Sequence, residues 1–303
     1  MQFEKIIILD NCGLIPEITD QIAGLSKHKI IVYNDYPKDD YETLLRIGDA
    51  DCVLVSWQTK ITAEIIARTT RLKFVGMCCS LYDEASANVD IMAARKKGIQ
   101  VKGVKDYGDE GAVEFIFAQL IFLLKGLLKA RWKAEPVELK NKSIGIIGLG
   151  TLGLMVAQTA QHFGMQVFYY SRSRKPEQEK NGITYLPLDE LIQSCDIITT
   201  HLPKNTILLT AREFKLKKPN SILVNTSLGV PFEKDAFLDW IADEQNFAIF
   251  DADGVGDFMQ EFTGRDNIIL SDQFGGFTFE AKQRLSEKVL ANLADYLKNH
   301  KEV

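Results

Sequence analysis

The chain has 303 residues, long enough for two domains of ordinary size. Apolar residues make up 46% and charged residues 25%, a balance that excludes disorder, collagen-like repeats and a disulfide miniprotein. Lys and Arg total 36 against 41 Asp and Glu, a formal charge of −5, so no basic surplus marks a non-specific nucleic-acid binder.

The chain runs from Met1 almost directly into Ile6-Ile7-Ile8-Leu9. That apolar run is too short for a signal h-region and no small-residue cleavage site follows it, so a cytoplasmic protein is expected. Strands are predicted at Lys5–Leu9, Lys29–Tyr33, Cys52–Ser56, Lys73–Met77 and Ile99–Lys102. Helical patterns separate them, as at Thr62–Arg68 and Val89–Lys97. A long helix is expected over Asp109–Arg131. Its greasiest part, Phe115 to Leu128, is broken by Gln119, Lys125 and Gly126 and falls short of a membrane span. Over Ala112–Leu128 it is apolar nearly all round, which predicts burial on more than one side and a homodimer built partly on it.

A second series of strands is predicted at Ser143–Gly148, Gln166–Tyr170, Asp196–Thr200, Ser221–Asn225, Phe247–Asp251 and Ile268–Leu270. Helices at Leu152–Phe163, Lys234–Ala242 and Thr278–Leu297 go with them. Strands alternating with helices argue for parallel sheets covered on both faces. The five cysteines are odd in number and hold no C-x-x-C pair, which supports neither a disulfide framework nor a zinc site. Adjacent Cys78 and Cys79 read as small buried residues near a strand end rather than a redox pair, because sequence neighbours bridge poorly.

The first chemical signal is Gly148-Leu149-Gly150-Thr151-Leu152-Gly153, between the strand at Ser143 and the helix after it. That context is what a dinucleotide loop requires. Gly148 allows the tight turn, Gly150 lets a pyrophosphate approach the backbone, and Gly153 lets helix and strand pack closely. The helix N-terminus then offers free N–H groups to phosphate. The next strand runs into Ser171-Arg172-Ser173-Arg174-Lys175, with no acid before Glu177. An NAD site places an acid there for the ribose 2′-OH. A guanidinium can hold a 2′-phosphate instead, so NADP(H) is expected ahead of NAD.

At these residues the chain resembles the D-isomer-specific 2-hydroxyacid dehydrogenases. The likeness is carried by Gly148–Gly153, by Cys195-Asp196-Ile197-Ile198-Thr199-Thr200-His201-Leu202-Pro203, by the stretch from Lys218 to Ser227, and by Glu280-Ala281. The Ser-Arg-Ser-Arg turn looks like the NADP-preferring glyoxylate and hydroxypyruvate reductase branch. The resemblance implies an α/β fold of two domains. Residues 1–102 plus 275–303 would form a flavodoxin-like substrate domain, and 103–274 a Rossmann doubly wound parallel-sheet cofactor domain. It places substrate in the cleft between them. It also implies cofactor contacts from Gly148, Gly150, Thr151, Leu152, Gly153, Ser171, Arg172, Arg174, His201, Leu202, Pro203, Thr226, Ser227, Asp251 and Gly276.

The family's chemistry rests on an Arg, a Glu and a His, and the matching positions here hold Leu228, Gly256 and Gln273. Leucine cannot pair a carboxylate, and Gln has no titratable proton for acid–base work. The family's short G-x-G-x-D turn is replaced by Gly76-Met77-Cys78-Cys79-Ser80-Leu81-Tyr82-Asp83-Glu84, read as a longer turn with two acids that face water or cap a helix. Alternative proton donors are Tyr107, with Lys105 lowering its pKa, and Tyr82. The plainer reading makes Lys105 and Asp106 a solvated hinge pair and Tyr107 a residue that packs between domains. Two functions follow: an NADP-dependent oxidoreductase whose substrate is not an ordinary 2-hydroxy acid, or an inactive nucleotide-binding module serving as sensor or partner.

Overall fold

The structure, a computed structural model, describes residues 1–82, 84, 87–204 and 206–300. The chain divides into two units, Met1–Tyr107 with Thr278–Val303, and Gly108–Phe277.

The first unit runs β1 (Ile6–Ile8), α1 (Pro16–Ala23), β2 (Ile31–Val32), α2 (Asp40–Ile47), β3 (Cys52–Val55), α3 (Ala63–Arg68), β4 (Phe74–Ser80), α4 (Ile91–Lys96) and β5 (Gln100–Val104). Its parallel sheet has the order β2-β1-β3-β4-β5, the flavodoxin-like winding. The two-residue period of each strand sends alternate side chains to opposite faces. Ile6, Ile8, Cys52, Leu54, Phe74 and Cys78 face one core. Ile7, Val53, Val55, Val75, Met77 and Cys79 face the other, against α2, α3 and α4.

That alternation decides the Cys78–Cys79 question. The two thiols lie on opposite faces of β4, and all five cysteines are free and buried. It also corrects the reading of Gly76–Ser80 as a turn. The segment is strand, paired with β5 through Ser80↔Val104 after a register shift beyond Gly76. The reason is packing: Met77, Cys78 and Cys79 each bury a side chain on one face or the other. Glu84 faces water in an ion pair with Arg95. Asp83 lies outside the described residues.

The second unit runs α5 (Asp109–Lys125), β6 (Ser143–Ile147), α6 (Thr151–His162), β7 (Gln166–Tyr170), α7 (Pro176–Glu179), β8 (Thr184–Tyr185), α8 (Leu188–Ser194), β9 (Ile197–Thr200), α9 (Ala211–Leu216), β10 (Ile222–Asn225), α10 (Lys234–Ile241), β11 (Phe247–Phe250), α11 (Met259–Phe262) and β12 (Ile268–Leu270). Its seven parallel strands are ordered β12-β11-β10-β9-β6-β7-β8, a doubly wound sheet that reverses direction at β6. Ile144, Ile146, Ile197, Ile222, Val224 and Ile249 face α5 and α6. Ile147, Ile198, Leu223, Ala248 and Phe250 face α8, α9 and α10. The chain then closes with α12 (Phe279–Asn299), whose Leu285, Val289, Leu293 and Tyr296 join the first unit's core.

Two expectations about α5 change. The helix ends at Lys125 rather than Arg131, because Gly126 takes a left-handed conformation with φ 64°. The Leu127 N–H then donates to the Phe122 carbonyl at 3.0 Å, closing the helix end. Leu127 and Leu128 therefore lie beyond the helix and are 62% and 58% exposed. None of the helices is long and apolar enough to cross a membrane among the described residues.

Candidate functional site

The site is built at the carboxyl end of the second unit's sheet, where the strand order reverses. In the loop between β6 and α6 the three glycines have different physical reasons. Gly148 has φ 100°, and a Cβ there would stand 2.2 Å from the His201 carbonyl oxygen. At Gly153 a Cβ would stand 2.1 Å from the Gly148 carbonyl oxygen. Both are required by the protein's own packing. At Gly150, the residue capping α6, φ is −85° and a Cβ would meet nothing within 4 Å. The protein itself makes no demand for glycine there. A ligand that must approach the helix N-terminus closely does.

Beyond β7, Tyr169 organises the next turn. Its buried hydroxyl accepts from the Lys175 N–H at 2.6 Å and donates to Glu179 at 2.9 Å. Arg174 is committed to the turn as well, bonding Glu179 and lying 4.9 Å from the Tyr185 ring centroid. Ser171 Oγ donates to the Ser173 carbonyl at 2.6 Å. Arg172 is exposed, and among the described residues it has no ion pair or hydrogen bond. Of the two arginines singled out from the sequence, Arg172 is thus the one whose guanidinium is open at the strand end.

The loops after β9, β10 and β11 meet on the carboxamide of Asn225, which is fully buried. Its oxygen accepts from Thr200 Oγ1 at 2.7 Å and from the Ser227 N–H at 3.2 Å. Its nitrogen donates to the carbonyls of Gly229 at 3.0 Å and Gly254 at 2.7 Å. Ser227 Oγ adds a link, accepting from the Leu202 N–H and donating to the Thr200 carbonyl, both at 3.0 Å. Gly254 must be glycine, since a Cβ would lie 2.1 Å from the Asn225 carbonyl oxygen. Asp251 fixes the far side by accepting from the Gly254 N–H at 2.8 Å and the Gly275 N–H at 3.0 Å. Gly276 packs on the Gly108 backbone.

His201 follows β9, with Nε2 3.1 Å from Thr199 Oγ1. Burial pushes its pKa down to about 4, so it is a neutral imidazole near pH 7. Its Nδ1 and the hydroxyl of Thr226 are buried polar atoms without a partner among the described residues. Such atoms are costly unless a ligand engages them. Together with the open approach at Gly150, they fit a dinucleotide lying along this edge.

Leu228, Gly256 and Gln273 all border this assembly. Leu228 is half-buried beside Gly229. Gly256 opens a short 3₁₀ turn, Gly256–Phe258, at φ 57°. Gln273 is exposed, its amide donating to Asp272 at 3.1 Å. Of the alternative donors, Tyr107 packs against the first unit's core, and its carbonyl accepts from Arg284 Nε at 2.9 Å. Lys105 Nζ lies 5.6 Å from the ring centroid of exposed Tyr82. That geometry pairs Lys105 with Tyr82 rather than with Tyr107. His162 is on the surface, with Nδ1 2.7 Å from the Gln158 carbonyl oxygen.

One acid was passed over in the sequence reading. Asp253 is half-buried two residues beyond Asp251, and its pKa is pushed up to about 7 by burial and by the Asp251 charge. The only sequence signal is the Asp-Ala-Asp-Gly spacing at a strand end, common in solvated turns. No group of three or more His, Cys, Asp or Glu suited to a metal occurs among the described residues.

Residues 119–269 match the family model described as D-isomer specific 2-hydroxyacid dehydrogenase, NAD binding domain. A glyoxylate reductase of Thermococcus litoralis is 30% identical over 281 residues, covering 84% of this chain and 83% of the relative. The chain belongs to the D-isomer-specific 2-hydroxyacid dehydrogenase family. A hydroxypyruvate reductase of Blautia hydrogenotrophica is another relative, 27% identical over 322 residues with 97% of each chain covered. Among solved structures, an acyclic imino acid reductase in complex with NADPH and D-Arg superposes with a TM-score of 0.83 at 24% identity, covering 97% of both chains. The D-lactate dehydrogenase of Aquifex aeolicus, complexed with NAD and lactic acid, gives 0.80 at 22%, covering 97% of this chain and 96% of its own. At these identities the structures speak for the fold, and both units share it. The dehydrogenase family thus accounts for the second unit's sheet order and for its glycine loop, and it makes a nicotinamide dinucleotide the cofactor class.

Proposed function

We propose that this dehydrogenase-family protein is an NADP(H)-dependent oxidoreductase whose substrate is not an ordinary 2-hydroxy acid. The observation that carries the cofactor choice is Arg172, exposed at the end of β7 where an NAD site needs an acid. Gly148 to Gly153 and the α6 N-terminus would hold the pyrophosphate, and Thr226 and His201 the nicotinamide half, with Asp251 fixing the loop beside them. The cofactor supplies hydride chemistry when bound. The chain's own residues bind it, orient it and exclude water around it. Fluorescence titration with NADPH and NADH tests the choice, and a panel of aldehydes, ketones and enones tests turnover.

The substrate reading rests on Leu228, which cannot clamp a carboxylate. A second reading, a nucleotide-binding module without turnover, is favoured by the simultaneous replacement of the three family positions with Leu228, Gly256 and Gln273. Bound NADPH left unoxidised by the whole panel decides for it. Five free, buried cysteines fit a reducing cytoplasm. A homodimer fits the exposed apolar residues at and after the end of α5, Phe122, Leu127 and Leu128.

A further inference from the structure

We propose that Asp253 is the proton-exchanging group of this site, an acid that takes the proton task of the imidazole missing at Gln273. The proposal rests on the nicotinamide-dinucleotide reading and adds the residue that handles the proton.

Three hydrogen bonds place it. The Asp253 carbonyl accepts from the Gly229 N–H at 3.0 Å, next to Leu228. It also accepts from the Gly256 N–H at 3.2 Å. The neighbouring Ala252 N–H donates to the Gln273 carbonyl at 3.1 Å. Asp253 is therefore tied by its own backbone, or its neighbour's, to each of the three positions where the family's chemistry is missing. It lies at the carboxyl end of β11, in the second mononucleotide half of the sheet, which takes the nicotinamide end of a dinucleotide.

Asp251 and Asp253 also divide their roles. Burial raises the Asp251 pKa, but Asp251 spends both carboxylate oxygens on the Gly254 and Gly275 N–H groups, which favour its ionised form and give it a structural task. No hydrogen bond reaches the Asp253 carboxylate among the described residues, so it keeps no structural task. Burial raises the pKa of both carboxyls, but only Asp251 has N–H bonds that work against it, so Asp253 is the member of the pair free to exchange a proton. The charged groups bearing on Asp253 are Asp251 in its own turn and Lys204 in the loop after β9. The loop from Thr226 to Val230 brings none, and Asp272 beyond β12 is engaged by the Gln273 amide. Burial and Asp251 raise the Asp253 pKa, and Lys204 opposes them.

In the reductive direction the Asp253 carboxyl gives its proton to the substrate oxygen or nitrogen as that atom gains the π electron pair. The substrate carbon takes the hydride that the dihydronicotinamide loses in becoming oxidised. A proton from water restores the carboxyl.

The test needs no substrate. An ionised carboxylate beside the ring favours the cationic oxidised nicotinamide, and a protonated one does not. NADP⁺ and NADPH carry the same 2′-phosphate, so its titration cancels from their ratio. Dissociation constants of both are measured on the full chain between about pH 5.5 and pH 8.5. The expected result is that Kd(NADP⁺)/Kd(NADPH) falls about tenfold as pH rises, tracking one ionisation. In Asp253→Asn the ratio is flat, and in Asp253→Glu the fall returns. Melting curves for both variants confirm folding. A flat ratio in the wild type, or a fall that survives Asp253→Asn and vanishes in Asp251→Asn, overturns the assignment and leaves the cofactor reading standing. Failure of either cofactor form to bind overturns both.

Discussion

The three glycines of the β6–α6 loop make a sharp prediction, because they are demanded by different partners. Replacing Gly153 with Ala drives a Cβ to 2.1 Å from the Gly148 carbonyl oxygen, a backbone atom that cannot swing aside. Overpacking of this kind costs about 1–3 kcal/mol. The melting temperature should fall by about 2–4 °C per kcal/mol for a unit of this size. At Gly148 the same change adds left-handed strain, a further ~1–3 kcal/mol. Gly150→Ala is different. Its φ of −85° suits alanine, and the new methyl meets no protein atom within 4 Å. The loss at the helix cap, about 0.5 kcal/mol, is offset by a similar gain from a stiffer unfolded chain. Gly150→Ala should thus melt with the wild type yet lose at least about tenfold in NADPH affinity, or ~1.4 kcal/mol. Thermal melts and fluorescence titration of the three variants decide it. If Gly150→Ala binds NADPH as tightly as the wild type, no phosphate passes over that residue and the reasoning fails.

The wild type should prefer NADPH over NADH by at least about tenfold, and Arg172→Ala should erase most of that margin; equal titration curves before the substitution would show that Arg172 does not read the 2′-phosphate. Turnover of glyoxylate, pyruvate and hydroxypyruvate should lie at least ~10² below the usual enzyme kcat of about 10 s⁻¹, since Leu228 supplies no clamp to position the substrate carboxylate. A normal kcat in a coupled absorbance assay would refute that. Asp253→Asn should make the fold more stable at alkaline pH and leave it unchanged near pH 4. In the folded chain the carboxyl has its pKa raised from 3.8 to about 7, so the group contributes most below 3.8 and that contribution is lost as pH climbs to about 7. Discounted for partial solvent access, the gain above pH 7 should be ~1–3 kcal/mol by denaturant unfolding. Tyr169→Phe strands the Lys175 N–H, and should cost ~1–3 kcal/mol by denaturant unfolding.

The strands with unbroken apolar runs were legible in the sequence, because a parallel strand buried on both faces needs Ile and Val in succession. The β6 run Ile144-Gly145-Ile146-Ile147 is such a case. The two-residue strand β8 was not, being too short to show any period. The end of α5 was misjudged because leucines continue past Gly126, and only the left-handed φ shows that the glycine stops the helix. In β4 the expected turn after Gly76 gave way to strand, since the small cysteines fit both cores and extend the pairing. The glycine loop stood out because it combines a rare residue type, a fixed spacing and a strand–helix context. Asp253 did not, because its character comes from burial and from a neighbour that the spacing alone does not place.

The Asn225 carboxamide has a consequence for how this site can change. A single planar group, using two donors and a twice-loaded acceptor, pins the loops after β9, β10 and β11 to one another. None of those bonds involves the side chain of Leu228, Asp253 or Gln273. The backbone platform is therefore indifferent to what is mounted on it, and reactive groups can be exchanged one by one without unseating their neighbours. Asn225→Asp, isosteric but stripped of both donors, would loosen the platform itself, and every tool fixed to it would drift together.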